Sequence, residues 1–323
     1  MKFRTEVDLP PFERKIGYGN RLFAIGSCFA DNMAEALLRA KFRVTANPAG
    51  VLFNPASIAQ TLQIFYKQEP IAENELCECD GRAFDYRFHG SLSGCSATEC
   101  ATKINRAIEL GHKALNEADT VIITFGTAWI YILNETGETV ANCHKQPSAL
   151  FTRKRMTVSE ITETFTALFD TVLKDKFVIF TVSPVRHLGD GADENFLSKA
   201  TLKLAVAELV ERFGNAAYFP AYEILNDDLR DYRFYADDLV HPSSQAVEYI
   251  RQKFFAAALD AQALDTLPRI EKIMAAAQHR PSDPHSRRYA EFCEAQTALI
   301  DTLEKEVEGL DMSAERNHFA QFI

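Results

Sequence analysis

The chain has 323 residues, of which 47% are hydrophobic and 25% charged, with seven cysteines. That length accommodates one large or two ordinary domains and buries a core without disulfide or metal staples. A formal net charge of −10 argues against a nucleic-acid backbone as main partner, because phosphate recognition needs a basic face.

Residues 1–8 lack the apolar centre of a secretory leader, and no run approaches the roughly 18 apolar residues of a bilayer span. The cysteines are odd in number and unevenly spaced. The expectation is a cytoplasmic protein with reduced thiols, no nucleic-acid partner and no membrane association.

Short β-rich runs alternate with longer helical stretches, which points to strand–helix units around a mostly parallel sheet. Arg21 to Ile25 reads as a strand ending at Gly26. Ala30 to Lys41 has helical spacing, with Met33, Leu37 and Leu38 on one face. Phe42 to Ala46 reads as a second strand, broken by Asn47-Pro48-Ala49-Gly50. Residues 55–118 fit the alternation poorly. They hold helices over Ser57 to Tyr66 and Ala97 to Leu115 and a polar stretch with Cys77, Cys79, Cys95 and Cys100. They read as an insertion beside the sheet, with the character of a lid.

Thr120 to Phe125 is the strongest strand, almost entirely β-branched or aromatic. Trp129 to Leu133 and Glu138 to Asn142 flank a hairpin turn at Asn134-Glu135-Thr136-Gly137. Val158 to Leu173 is an amphipathic helix, and Phe177 to Val182 a buried strand ended by Ser183-Pro184. Phe196 to Phe213 is helical, Ala216 to Phe219 is a short last strand, and Ser243 to Leu259 is a helix after Pro242. Beyond residue 259, helices at Lys272 to Gln278 and Ser286 to Val307, separated by Pro281 and Pro284, read as an appendage. The division expected is 1–259 for the main domain and 260–323 for a helical extension able to mediate a homo-oligomer.

Two segments carry chemistry. In Ile25-Gly26-Ser27-Cys28-Phe29-Ala30-Asp31, nucleophilic residues sit where a strand ends and a helix begins. Unpaired first-turn N–H groups and the positive end of the helix dipole favour a thiolate or an oxyanion there. The plainer alternative makes Ser27 an N-cap and Cys28 a small buried residue. In Asp237-Asp238-Leu239-Val240-His241-Pro242, the carboxylate of Asp238 can fix the tautomer of His241 and leave its other nitrogen as a base. The plainer alternative is a turn-capping Asp beside an incidental His. One segment follows the first strand and the other the last, so both belong to the carboxyl edge of the sheet, where open α/β sheets bind ligands.

At these residues the sequence resembles the GSCFA-domain family, a branch of the SGNH (GDSL-type) hydrolase superfamily. The resemblance runs from about residue 20 to 256. It includes Gly26 to Ala30, Asn47-Pro48-Ala49-Gly50, Phe125-Gly126-Thr127-Ala128-Trp129, Asn142-Cys143-His144-Lys145, Thr181 to His187 and the Asp238/His241 pair. It implies an α/β fold of SGNH-hydrolase/flavodoxin-like type. It also implies an esterase or acyltransferase that acts on an ester or thioester, with O-acetylated carbohydrate as a candidate substrate and no cofactor. Registered on Gly26, the nucleophile falls on Cys28; shifted by one, on Ser27. The oxyanion-hole glycine matches Gly50. The third block, normally Gly-x-Asn-Asp, reads Gly126-Thr127-Ala128-Trp129. Its Asn is absent, and Thr127 or Asn142 is left to substitute. The altered block also keeps open a non-catalytic binding protein on the same fold.

His144, Arg186 and His187 follow strands and are candidates to bind substrate, and His89 joins them if residues 55–118 cover the site. Cys77-x-Cys79 is a poor zinc knuckle, so no metal is expected. Trp129 reads as core. Arg230 and Arg233 near Asp227, Asp228 and Asp231 read as a solvated ion-pair cluster.

Overall fold

The computed structural model describes residues 4–323. Five parallel strands form the main sheet: β1 (Arg21–Gly26), β2 (Arg43–Ala46), β5 (Thr120–Phe125), β9 (Phe177–Val182) and β10 (Ala216–Phe219), in the order β10-β9-β5-β1-β2. Taken by position in the chain, the order is 2-1-3-4-5, the doubly wound flavodoxin-like arrangement, with its switch point between β1 and β5. The register there runs from Leu22 opposite Thr120 to Gly26 opposite Thr124. Two small antiparallel units stand apart from the main sheet. One pairs β3 (Cys77–Cys79) with β4 (Arg82–Phe84); the other joins β6 (Trp129–Leu133), β7 (Thr139–Val140) and β8 (Phe151–Arg155).

The pleat sends successive side chains to opposite faces, and two cores follow from it. Leu22, Ala24, Ile122 and Ile179 face α1 (Cys28–Arg39) and α7 (Ser244–Ala258). Phe23, Ile25, Ile123 and Phe180 face the other way, onto α2 (Pro55–Lys67), α3 (Ala97–Glu117), α4 (Val158–Phe169) and α5 (Ala192–Arg212). A short turn, α6 (Ala221–Glu223), follows β10. The C-terminal helices α8 (Ala261–Gln278), α9 (Arg287–Glu306) and α10 (Ser313–Ala320) place Ile270, Ile273, Ile300 and Phe319 in the first core. They therefore pack on the main domain.

Several details go beyond the sequence reading. In residues 55–118, read as an insertion beside the sheet, Ile58, Leu62, Phe65, Ile104 and Ile108 of α2 and α3 join the core on one face of the sheet. The turn after the β3–β4 unit meets the loop after β2, where His89 packs against Gly50. Helix α8 starts at Ala261 and runs through Pro268, because packing of Ile270 and Ile273 outweighs the one hydrogen bond that the proline removes. Strand β8 and helix α10 had no separate sequence signal. β8 is charged and half exposed and pairs with β6 along its whole length. Trp129 lies partly exposed beneath Arg153, whose guanidinium carbon is 4.4 Å from the ring. Arg230–Asp227 is an exposed ion pair, whereas Asp228, read as part of the same solvated cluster, is buried and accepts from the Tyr249 hydroxyl at 2.9 Å. No helix among the described residues is long and apolar enough to cross a membrane.

Gly26 is where β1 leaves the sheet. Its φ is +140°, and a Cβ there would lie 2.1 Å from Thr124 O, so only glycine fits. Replacing Gly26 with Ala combines a backbone conformation essentially restricted to glycine with a backbone clash. It should cost about 3 kcal/mol or more in urea unfolding, whereas Gly19→Ala, with open space around it, should stay within about 0.5 kcal/mol.

Candidate active site

Four loops meet at the carboxyl edge, and the backbone ties them together. After β1, Gly26 N–H donates to Asn47 Oδ1 at 2.8 Å, and Gly26 O accepts from Leu52 N–H at 2.9 Å. After β5, the N–H groups of Gly126 and Thr127 both donate to Phe53 O at 2.8 Å. After β9, Arg186 N–H donates to Val240 O at 3.1 Å, which fastens the Asp238–His241 loop to the same edge.

Ser27 is the N-cap of α1, and its hydroxyl accepts from Phe29 N–H at 3.4 Å. It is 1% exposed. Cys28 is the first residue of the helix and is partly exposed. Burial pushes the Cys28 thiol up and Asp31 adds to this; the N–H groups of Cys28 and Phe29 and the Lys199 ammonium pull it back. Asp31 accepts from Asn47 Nδ2 at 2.7 Å.

Asp238 and His241 form the pair that their spacing suggested. His241 Nδ1 and Asp238 Oδ2 are 2.6 Å apart, and Asp238 Oδ1 accepts from the backbone N–H groups of His241 and Val240, each at 2.9 Å. These bonds, led by His241 N–H, hold the Asp238 carboxyl down to about 2. Both side chains are half exposed.

The proposed oxyanion and substrate residues separate. Gly50 N–H donates to Asn47 O at 2.8 Å, closing its own turn. Thr127 Oγ1 lies 3.1 Å from Ser198 Oγ and accepts from Trp129 N–H at 3.2 Å. Asn142 Oδ1 accepts from His144 N–H at 2.7 Å. His144 stacks on Phe84 at 4.4 Å, with its ring nitrogens facing Ser93 Oγ and Asp85 O; it braces the β3–β4 unit. His89 caps the turn Gly90–Leu92 and packs over Gly50, where an added Cβ would meet its Cβ at 2.4 Å. Arg186 turns between Tyr235 and Tyr232, its guanidinium carbon 4.3 and 5.4 Å from the two rings. His187 reaches the centre: a Cβ on Gly126 would lie 3.2 Å from His187 Nε2 and 3.4 Å from Ser27 Cβ.

One residue was not singled out from sequence. Lys199 on α5 is fully buried, and its ammonium donates to Gly126 O at 2.6 Å and Ser183 O at 2.7 Å. Burial brings it down to about 7. It belongs to a face of α5 on which Asn195, Ser198 and Lys199 precede Leu202, Ala205 and Leu209 at helical spacing, all buried. Asn195 Oδ1 accepts from His187 N–H at 2.9 Å, and Ser198 Oγ accepts from Ala128 N–H at 2.8 Å. Polar residues on an otherwise apolar stripe were the available signal. The sequence reading started this helix at Phe196, one residue too late to include Asn195.

A cleft of about 630 Å³ lies between α1, α7 and α8 and is lined by Asn32, Pro242, Met274 and Ala275, among others. Among the described residues no three His, Cys, Asp or Glu side chains cluster as metal ligands would.

The sequence model of the GSCFA family matches residues 21–254, and that of the GSCFA domain protein C-terminal domain matches residues 270–323. No curated protein matches the chain. A solved structure of an acetyl xylan esterase (Est2A) from the rumen bacterium Butyrivibrio proteoclasticus aligns at 12% identity with a TM-score of 0.32. The alignment covers 83% of this chain and 66% of that one, so the chain spans slightly less than two thirds of that protein.

The buried ammonium makes a pH prediction. Unfolded, a lysine holds its proton to about 10.4; folded, Lys199 releases it near 7. Between those values unfolding takes up a proton, so stability from this group rises with pH, by up to about 1.4 kcal/mol per pH unit, and is level below pH 7. Wild type compared with Lys199→Met in urea unfolding should show that slope between pH 7 and 10; parallel curves would refute it.

Proposed function

Because the chain belongs to the GSCFA family over residues 21–254, we propose that it is an SGNH-like hydrolase or acyltransferase acting on an ester or thioester, with O-acetylated carbohydrate as the substrate class. The observation that carries this reading is the Asp238–His241 pair, 2.6 Å apart and docked on the β9 loop, at the edge where Cys28 opens α1. Cys28 is favoured over Ser27 as nucleophile because it is the partly exposed member, whereas the serine hydroxyl is buried as a helix cap.

The resting thiol is protonated, so the reaction needs a base. The Cys28 sulfur attacks the acyl carbonyl as His241 takes its proton, and the Asp238 carboxylate accepts from Nδ1–H and stabilises the imidazolium. The N–H of Cys28, which has no intrahelical partner, faces the developing oxyanion at the positive end of the helix. The imidazolium then protonates the leaving oxygen or sulfur, leaving a thioester on Cys28. Water, or an acceptor hydroxyl, gives its proton to His241 and displaces the enzyme thiolate, which recovers the proton.

Three variants test the roles, assayed on acetyl and short-acyl esters. Cys28→Ala should abolish both turnover and covalent acylation. His241→Ala should lower kcat about 10²–10⁴-fold. Ser27→Ala should mainly cost the cap, about 1 kcal/mol of stability, with turnover retained. Turnover that survives Cys28→Ser but not Ser27→Ala would move the nucleophile to Ser27. Ligand-induced thermal stabilisation without turnover, indifferent to His241→Ala, would support the binding-protein alternative instead.

A further inference from the structure

We propose that His187 is a second oxyanion donor, presenting a neutral Nε2–H to the acyl oxygen opposite the N–H of Cys28. The inference rests on the acyl-transfer reading above and extends it to a residue outside the triad.

His187 Nε2 is a buried nitrogen with no hydrogen-bond partner among the described residues. Such an atom is costly unless something occupies the space before it. The nitrogen faces the narrow gap left by the missing side chain of Gly126, where a Cβ would lie 3.2 Å from Nε2, 3.4 Å from Ser27 Cβ and 3.1 Å from Phe53 O. The ring is held in place from two sides. Its backbone N–H donates to Asn195 Oδ1, and its edge packs on Phe53, with ring centroids 5.7 Å apart and planes at 74°. Alternative donors at this edge are already engaged. The N–H groups of Gly126 and Thr127 bond Phe53 O, Gly50 N–H bonds Asn47 O, and the Thr127 hydroxyl pairs with Ser198.

The surroundings also decide the protonation state. The charged and titratable groups acting on His187 are Lys199 from α5 and His241 from the loop after β10. Burial first, then these two, bring it down to about 4. An imidazole that gains a proton only there is a weak base at neutral pH. It is a donor that keeps its hydrogen bond without adding charge to the resting site. His187 therefore complements His241, which works as the base.

The experiment compares wild type, His187→Phe and His187→Gln on p-nitrophenyl acetate, together with ¹⁵N-detected NMR of the wild-type imidazoles. His187→Phe keeps a ring against Phe53 and removes the donor. It should lower kcat about 10²–10³-fold with KM changed less than about threefold, and His187→Gln should recover about tenfold of that loss. NMR should show His187 neutral with the proton on Nε2 from pH 5.5 to 8, a readout that stands even if His187→Phe does not fold. Wild-type turnover with unchanged kcat in folded His187→Phe, or a proton on Nδ1, overturns the donor role and leaves the acyl-transfer reading intact. Absence of wild-type turnover overturns that reading, and this inference with it.

Discussion

The carboxyl edge of the sheet depends on one buried cation. Lys199 donates to Gly126 O and Ser183 O, the carbonyls at which the chain leaves β5 and β9. Desolvating an ammonium costs several kcal/mol, and hydrogen bonds from a charged donor return about 1.5–3 kcal/mol each. Lys199 is brought down to about 7 from the usual lysine value of about 10.4, so desolvation outweighs these bonds and the interaction fixes geometry at a cost in stability. It sets the spacing between the two exit loops that carry Gly126 and His187. With Asn195 and Ser198 on the same helical face, α5 reads the position of both loops from below.

Steric constraint at Gly26 complements this clamp from the other side of the switch point. Close approach of β1 to Thr124 excludes any side chain, and the sharp exit that results puts Ser27 in the cap and Cys28 in the first turn of α1. Asn47 then bonds both Gly26 N–H and the Asp31 carboxylate, linking the β2 loop to that turn. The Gly-Ser-Cys segment is thus held by backbone geometry and by Asn47 before any substrate contact is considered.

Much of this architecture was legible in the sequence. Thr120–Phe125 and Phe177–Val182 are rich in β-branched and aromatic residues and buried throughout because both faces of a central parallel strand are covered, and they were located to the residue. The Asp238–His241 pair was legible because three residues of loop suffice to close it. What escaped was tertiary in origin. Residues 55–118 look polar and cysteine-bearing in sequence, yet their helices bury Phe65 and Ile104 against Phe23 and Val121, contacts between segments dozens of residues apart. The helix placed at Lys272 to Gln278 in fact begins at Ala261 and runs through Pro268. Gly50 and Thr127 matched a motif by position, but a motif does not show that a neighbouring carbonyl or hydroxyl has already taken the donor.

The electrostatics of the edge have a common direction. Burial raises the Cys28 thiol, lowers Lys199 to about 7 and lowers His187 to about 4, so each buried group is moved toward its neutral form. The exposed Asp238 is the exception, held ionised beside His241. At rest such a site leaves the Cys28 thiol and His187 uncharged and has one fixed carboxylate facing the His241 imidazole. In the proposed reaction, charge develops only when the thiol proton moves to His241, and it develops as a pair, imidazolium against Asp238 and oxyanion against the start of α1. On that proposal an uncharged thiol avoids strong solvation of the attacking group, and fixed dipoles already aimed at the new charges need no reorganisation as they form. The lysine that clamps the two exit loops also helps keep the buried imidazole neutral, which joins the mechanical role of α5 to the chemistry proposed for the edge above it.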